Sequence, residues 1–89
     1  MQVDVEELVE LKEKVVKDRE LVLHNDEVNT FDHVIECLIS ICGHDVLQAE
    51  QCTMIVHYNG KCTVKTAEFE KLKPMWSGLV EQGLHAEIQ

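Results

Sequence analysis

The sequence predicts an α+β sandwich, in which a small sheet packs on helices and the elements follow the order β-α-α-β-α-β. Three observations predict this fold. Strand-like apolar or alternating stretches occur at three places, segments with helical apolar periodicity fill the intervals, and a capping residue or a glycine marks each change. The chain has 89 residues, which suffices for one domain with one modest core.

An N-terminal arm, residues 1–19, precedes the predicted domain, residues 20–89. Val5, Leu8 and Val15 belong to an imperfect helical stripe with acidic residues first and lysines later, an order that suits the helix dipole. An extended arm that orders only on a partner fits almost as well, and we favour the helix.

The first strand is expected at residues 21–23, where Leu-Val-Leu suits a short buried strand. Asn29 or Thr30 can cap a helix over residues 31–42, whose apolar residues share one face. Gly43 follows in the position where glycine commonly ends a helix.

A second helix is predicted behind Asp45 and Gln48, which form a capping box. Its apolar pattern runs to about Tyr58, and the Asn-Gly pair at residues 59–60 stops it. These signals place the second helix directly after the first.

The C-terminal third begins with residues 61–65, which alternate like a short strand. Thr66 can cap a third helix that runs to Gln82. Pro74 lies inside that pattern and lacks a backbone donor, so the helix starts late or kinks there. Residues 84–89 alternate like an edge strand.

The composition is strongly acidic, with a formal net charge of −9 from 17 Asp and Glu against 8 Lys and Arg. Such a surface repels phosphate groups, so we expect neither nucleic acids nor anionic membranes as partners, whereas cationic ligands are favoured. No apolar run reaches spanning length, and the N-terminus lacks a signal-peptide pattern. We therefore expect a cytoplasmic monomer with reduced cysteines.

The cysteines raise the question of a metal site or a nucleophile. Structural zinc sites use closely spaced Cys or His pairs, and the nearest cysteine pair here, Cys37 and Cys42, is five residues apart, with four residues between them. The spacing of Cys52 and His57 matches no catalytic arrangement. We expect buried free thiols, no metal, no cofactor and no catalytic activity.

Polar side chains gather where the first strand ends, at His24, Asn25, Asp26, Glu27 and Asn29. Loops at strand ends commonly carry binding groups, and clustered acceptors with negative charge suit an ammonium. His57 is either bonded to a local carbonyl at a helix end or placed at the rim of an apolar groove. The residues therefore predict a small apolar groove with an ammonium-accepting rim.

Three segments, "LVLHNDEVNTFDHVIECL", "AEQCTMIVHYNGKC" and "GLHAEI", resemble a divergent branch of the ClpS family, the bacterial adaptors of the Clp protease, over about residues 20–89. The resemblance implies a three-stranded antiparallel sheet packed on three helices. It also implies an adaptor that follows the N-end rule and binds N-degrons, the free N-termini of proteins that begin with Leu, Phe, Tyr or Trp. The partner that receives these substrates would be a ClpA- or ClpC-like AAA+ unfoldase with ClpP.

The resemblance also implies roles for individual residues. Asn25, Asp26 and His57 would hold the substrate's α-amino group, with Asp26 acting directly or through water and His57 accepting while neutral. Glu27 and Asn29 would contact the first peptide units. The pocket for the first side chain would be lined by Phe31, Val34, Thr53, Val56 and Leu84.

Two positions depart from the family pattern. Phe31 stands where many members have a flexible methionine, and it is larger and stiffer. Thr53 stands where a gating methionine is common, and it is smaller and more polar. These changes act in opposite directions, so the size of the pocket stays open.

The main alternative is an α+β module that docks a partner through a helix face and does not recognise a free N-terminus. Blocking the amino group of a ligand would not matter for such a module. A small enzyme using His57 and an acid, or a metal-binding protein, are further alternatives.

Overall fold

The computed structural model describes residues 17–89, so the helix predicted within the N-terminal arm lies almost wholly outside the described residues. The described part confirms the α+β class and the predicted order of elements. The elements are β1 (Arg19–His24), α1 (Phe31–Cys42), α2 (Val46–Asn59), β2 (Lys61–Ala67), α3 (Phe69–Glu81) and β3 (His85–Ile88).

The sheet is antiparallel, with β1 in the centre of the order β2-β1-β3. His24, the last residue of β1, pairs with Lys61 at the start of β2 and with His85 at the start of β3. The loop after β1 therefore leaves the sheet between the first residues of its two neighbours.

Strand β2 is longer than the predicted residues 61–65, because it continues to Ala67. Thr66 and Ala67 pair with Glu20 and Arg19, which extend β1 beyond its apolar centre. These four positions at the sheet's end are exposed or half-buried, so no alternation of apolar residues marks them.

The core lies between the sheet and the helices. Leu21 and Leu23 project from the same face of β1, since side chains alternate along a strand. They pack with apolar residues of all three helices and of the outer strands. The fully buried leucines of this core are Leu21, Leu23, Leu38, Leu72 and Leu79.

The first two helices begin and end where the sequence predicts. The Thr30 hydroxyl accepts from the His33 backbone N–H at 3.1 Å and caps α1. The Asp45 carboxylate accepts from the Gln48 N–H at 2.7 Å and caps α2. Gly60 ends α2 with φ 91°, a left-handed conformation that side chains with a Cβ adopt only under strain.

The predicted start of the third helix is wrong. Thr66 belongs to β2, and α3 begins at Phe69 after Glu68, whose side chain makes no capping hydrogen bond. Pro74 does not delay the start of the helix, as one of the two expectations had it, because α3 begins at Phe69 and continues through this proline. The Trp76 indole N–H donates to the Ala86 carbonyl at 2.8 Å and ties α3 to β3.

The four cysteines are free thiols. Cys37, Cys42 and Cys52 are buried, as expected for small core residues, and Cys62 is half-buried. Burial is the main cause that raises the pKa of Cys42 to about 11, so this thiol stays protonated at neutral pH.

No helix between residues 17 and 89 combines the length and the apolar character that crossing a bilayer requires.

Candidate functional site

A cavity of about 340 Å³ lies where β1 ends, between α1, α2 and the segment that leads into β3. Every residue that the sequence predicts for the site lines this cavity, together with Leu23 and His24. The predicted residues are Asn25, Asp26, Glu27, Asn29, Phe31, Val34, Thr53, Val56, His57 and Leu84.

The sheet brings these distant segments together. The Asn25 backbone N–H donates to the Gly60 carbonyl at 2.8 Å, which joins the end of β1 to the turn after α2. His57 lies in the last turn of α2, one turn from Gly60, and therefore stands beside the loop that carries Asn25. Leu84 is the residue before β3, whose first residue pairs with the end of β1.

The inner wall of the cavity is mainly apolar. Leu23, Thr53, Val56 and Leu84 are the buried lining residues, with exposed fractions of 1, 3, 6 and 5%. Val34, half-buried on α1, extends the same wall. Such a wall favours an apolar group, because filling it removes hydrocarbon surface from water.

Asp26 organises the loop between β1 and α1. One of its carboxylate oxygens accepts from the backbone N–H groups of Val28 (2.9 Å) and Asn29 (2.8 Å), and the other accepts from the Asn29 side-chain amide (2.9 Å). Burial alone would raise the pKa of Asp26, but these hydrogen bonds, chiefly those from Asn29, outweigh it and hold the pKa below the usual 3.8. The carboxylate is therefore charged at neutral pH.

Asn29 connects this loop to the other side of the cavity. Its side-chain amide donates to Asp26 and also to the Gly83 carbonyl at 3.0 Å, just before Leu84. Both amide hydrogens are thus used inside the protein, whereas the amide oxygen is left as an acceptor. Asn29 therefore does not cap α1; of the two capping residues that the sequence offers, Thr30 forms the cap.

The rim of the cavity is exposed and polar. Asn25, Glu27 and His57 are exposed, and within residues 17–89 neither the Asn25 amide nor the His57 ring makes a side-chain hydrogen bond. The His57 ring packs edge-on against Phe31, with 5.1 Å between ring centroids, and against Tyr58 at 5.0 Å. Its position fits the rim interpretation better than a bond to a local carbonyl.

Leu23 and His24 also line the cavity, although the sequence assigned them no role in binding. His24 belongs to the polar cluster that the sequence predicts at the end of the first strand. The His24 ring donates from Nε2 to a Glu87 carboxylate oxygen at 2.6 Å. Hydrogen bonds from Gln89 and then from His24 hold the pKa of Glu87 below its usual value.

The charge of the site is negative. Asp26 and Glu27 line the cavity, and no lysine or arginine is among the lining residues of the described chain. The lining also contains no serine or cysteine that could act as a nucleophile, and no group of three potential metal ligands occurs between residues 17 and 89. The arrangement suits a cation that carries an apolar group, because acceptors and negative charge surround an apolar wall.

The sequence and the fold are both similar to those of known proteins. The family model described as ATP-dependent Clp protease adaptor protein ClpS matches residues 14–87. Over 55 residues, the chain is 38% identical to the ATP-dependent Clp protease adapter protein ClpS of Edwardsiella ictaluri and 36% identical to that of Serratia proteamaculans. These matches cover 60% of this chain and 52% of each relative, so the chain spans about half the length of the curated relatives it matches.

The fold matches a solved structure, that of Agrobacterium tumefaciens ClpS2 bound to L-phenylalaninamide. The TM-score is 0.69, with 16% sequence identity, and the match covers 82% of this chain and 95% of the other. It supports the three-stranded antiparallel sheet with three helices as the shared fold. Since the family model spans most of the sequence, the chain belongs to the ClpS family of ATP-dependent Clp protease adaptor proteins.

Proposed function

We propose that this chain is an adaptor that binds the free N-terminus of proteins beginning with Leu, Phe, Tyr or Trp and delivers them to a Clp AAA+ protease. The observation that carries the proposal is one cavity with a buried apolar wall and an acidic, acceptor-rich rim. A free N-terminus combines an ammonium and a first side chain on the same carbon atom, so one ligand can use both parts. L-phenylalaninamide, the ligand named for the A. tumefaciens ClpS2 structure, has this chemistry.

The ammonium would be held by Asn25, Asp26 and His57. The Asn25 amide oxygen and a His57 ring nitrogen have no partner among the described side chains, and Asp26 adds a charge that its low pKa maintains. Removing an ammonium from water is unfavourable unless its N–H groups find acceptors. An acetylated N-terminus has lost the charge and most of these donors, so the same rim would reject it.

The first side chain would enter the apolar part of the cavity. Burying a side chain of the size of Leu or Phe stabilises a complex by about 1.5–3 kcal/mol, and smaller side chains lose most of this contribution. The volume of about 340 Å³ lies near the lower end of ligand sites, which agrees with one bound residue. The side chain would contact Phe31, Val34, Thr53, Val56 and Leu84.

The first peptide units would lie along Glu27 and Asn29 at the rim. Since both amide hydrogens of Asn29 are used internally, Asn29 would serve a substrate only as an acceptor for a backbone N–H. The Asn29 bond to Gly83 would also keep the loop at a constant distance from the segment before β3.

The adaptor itself would not cleave the substrate. The family is named for adaptors of a protease, and catalysis would belong to the partner. We propose a ClpA- or ClpC-like unfoldase with ClpP as this partner, in the cytoplasm. No cofactor is needed, because hydrogen bonds and burial account for recognition.

Peptide binding measured by fluorescence anisotropy tests the proposal. Short labelled peptides that begin with Phe or Leu are expected to bind, and their N-acetylated counterparts are expected to bind at least about tenfold more weakly, since the ammonium forms hydrogen bonds of the charged class. Equal binding of the two forms would contradict recognition of a free N-terminus. That result would instead favour a module that docks through a helix face, such as the exposed Leu47, Met54 and Ile55 of α2.

Affinity for a Phe-initial peptide is expected to fall above about pH 8, because the ligand's amino group loses its charge there. The pKa of Asp26 lies below 3.8, so this carboxylate stays charged between about pH 5.5 and about pH 9 and adds no titration of its own. Anisotropy measured across this range checks the prediction. An affinity that stays unchanged up to about pH 9 would contradict recognition of a charged amino group.

A further inference from the structure

Among residues 17–89, Thr53 is the single polar side chain in the buried wall of the cavity. It is 3% exposed, while its buried neighbours in the lining, Leu23, Val56 and Leu84, are hydrocarbon. Its hydroxyl donates to the Ala49 carbonyl, one turn earlier in α2, at 2.8 Å. With its hydrogen used in this way, the oxygen can offer a ligand only an acceptor.

Thr53 lies as far from the rim of the cavity as the outer end of a bound side chain would reach. Thr53 lies four residues before His57 on the same face of α2, and both line the cavity. The helical rise places it roughly 6 Å from His57 along the axis. If the α-amino group is at the rim beside His57, this separation is about the reach of a tyrosine from its Cα to its hydroxyl.

We propose that Thr53 is a specificity-determining residue that makes tyrosine preferred over phenylalanine as the first residue of a ligand. This inference rests on the proposed function and adds a ranking within the bulky side chains. A tyrosine hydroxyl in the wall would donate to the Thr53 oxygen, so that both buried groups are satisfied. A phenylalanine ring would displace water from Thr53 and offer no donor in return.

The preference follows from how buried polar groups behave. A tyrosine hydroxyl usually finds a partner when it is buried, and one left unpaired is unfavourable. Among the buried lining residues of the described chain, Thr53 alone has a side chain that can supply that partner. A net hydrogen bond of ordinary strength changes affinity by about threefold to tenfold, so the ratio of Kd for the Phe peptide to Kd for the Tyr peptide should lie in that range.

Thr53→Val tests the inference, because valine keeps the shape of threonine and lacks only the hydroxyl. Two peptides that differ only in beginning with Tyr or Phe are titrated against wild type, Thr53→Val and Thr53→Ser. The Phe-to-Tyr Kd ratio is expected to fall to about one or below in Thr53→Val and to remain near the wild-type value in Thr53→Ser, which keeps the hydroxyl. The fall should come from weaker binding of the Tyr peptide, because the Phe peptide has no hydroxyl to donate to Thr53.

The outcomes separate the two levels of the proposal. The role of Thr53 is overturned if the Tyr and Phe peptides bind wild type with equal Kd, or if the Phe-to-Tyr Kd ratio is unchanged in Thr53→Val. The adaptor function stands in both cases when the peptides bind only with a free amino group. If neither free-amine peptide binds wild type, the adaptor function fails and the inference fails with it. Should Thr53→Val not fold, Thr53→Ala also lacks the hydroxyl and takes its place, with the same fall in the Phe-to-Tyr Kd ratio expected.

Discussion

Asn25→Ala is expected to weaken binding of a Phe-initial peptide by about tenfold to a hundredfold, the range for loss of a hydrogen bond to a charged group. The domain should remain equally stable. The Asn25 side chain is exposed, and the contact that fixes this residue, the bond from its backbone N–H to the Gly60 carbonyl, does not involve the side chain. Anisotropy with the labelled peptide measures the first effect, and thermal unfolding measures the second.

Gln51→Ala is the matched control for this experiment. It also removes an exposed amide, but Gln51 lies outside the cavity, beside Leu47 and Met54 on α2. Its peptide affinity should equal that of wild type. Unaltered binding in Asn25→Ala would move the ammonium site away from the end of β1.

Asp26→Ala is a less selective test, because Asp26 has a second role. Its carboxylate accepts from two backbone N–H groups and from the Asn29 amide. Removing the carboxylate therefore also removes the hydrogen bonds that hold the loop between β1 and α1 in place. A loss of binding in Asp26→Ala therefore combines the missing charge with a displaced Asn29.

Leu38→Ala is expected to lower the free energy of unfolding by about 2–5 kcal/mol. Leu38 is completely buried in α1 and belongs to the core between helices and sheet. Truncation removes apolar contacts and leaves a cavity that the surrounding residues fill only in part. In a domain of this size the melting temperature should fall by at least about 8 °C, which thermal unfolding followed by circular dichroism would show.

Leu47→Ala provides the same chemical change on the surface. Leu47 is 63% exposed on α2, so its replacement should change stability by no more than about 0.5 kcal/mol. A similar loss of unfolding free energy in the two variants would mean that Leu38 is not buried in the core between the helices and the sheet.

The helices α1 and α2 could be predicted closely because their end signals are local. The Thr30 cap, the Asp45 cap and the left-handed Gly60 depend on neighbouring residues, and the structure has each of them. The cap at Thr66 was wrong because long-range pairing with Glu20 places this residue in β2. A capping residue predicts a helix start only where strand pairing does not compete for the same backbone groups.

The polar residues that line the cavity were predictable from two separate signals, at a strand end and at a helix end, whereas its apolar residues were implied by the resemblance to the ClpS family. The hydrogen-bond network among the polar residues was not predictable. Asp26 and Asn29 bond to each other, and Asn29 also bonds to Gly83, which is distant in the sequence. Such contacts depend on where the fold places the segment before β3, and residue order alone does not contain that position.

We expect the cavity at the end of β1 to receive a free amino group together with its side chain. An NMR titration of isotope-labelled protein with L-phenylalaninamide and with its N-acetyl derivative is the sharpest test, since it reports both the location of binding and its dependence on the amine. Saturable shifts are expected at Asn25, Thr53 and His57 with the free amine, and almost none with the acetylated compound. Equal shifts with both compounds, or shifts centred on Leu47 and Met54 of α2, would contradict this expectation.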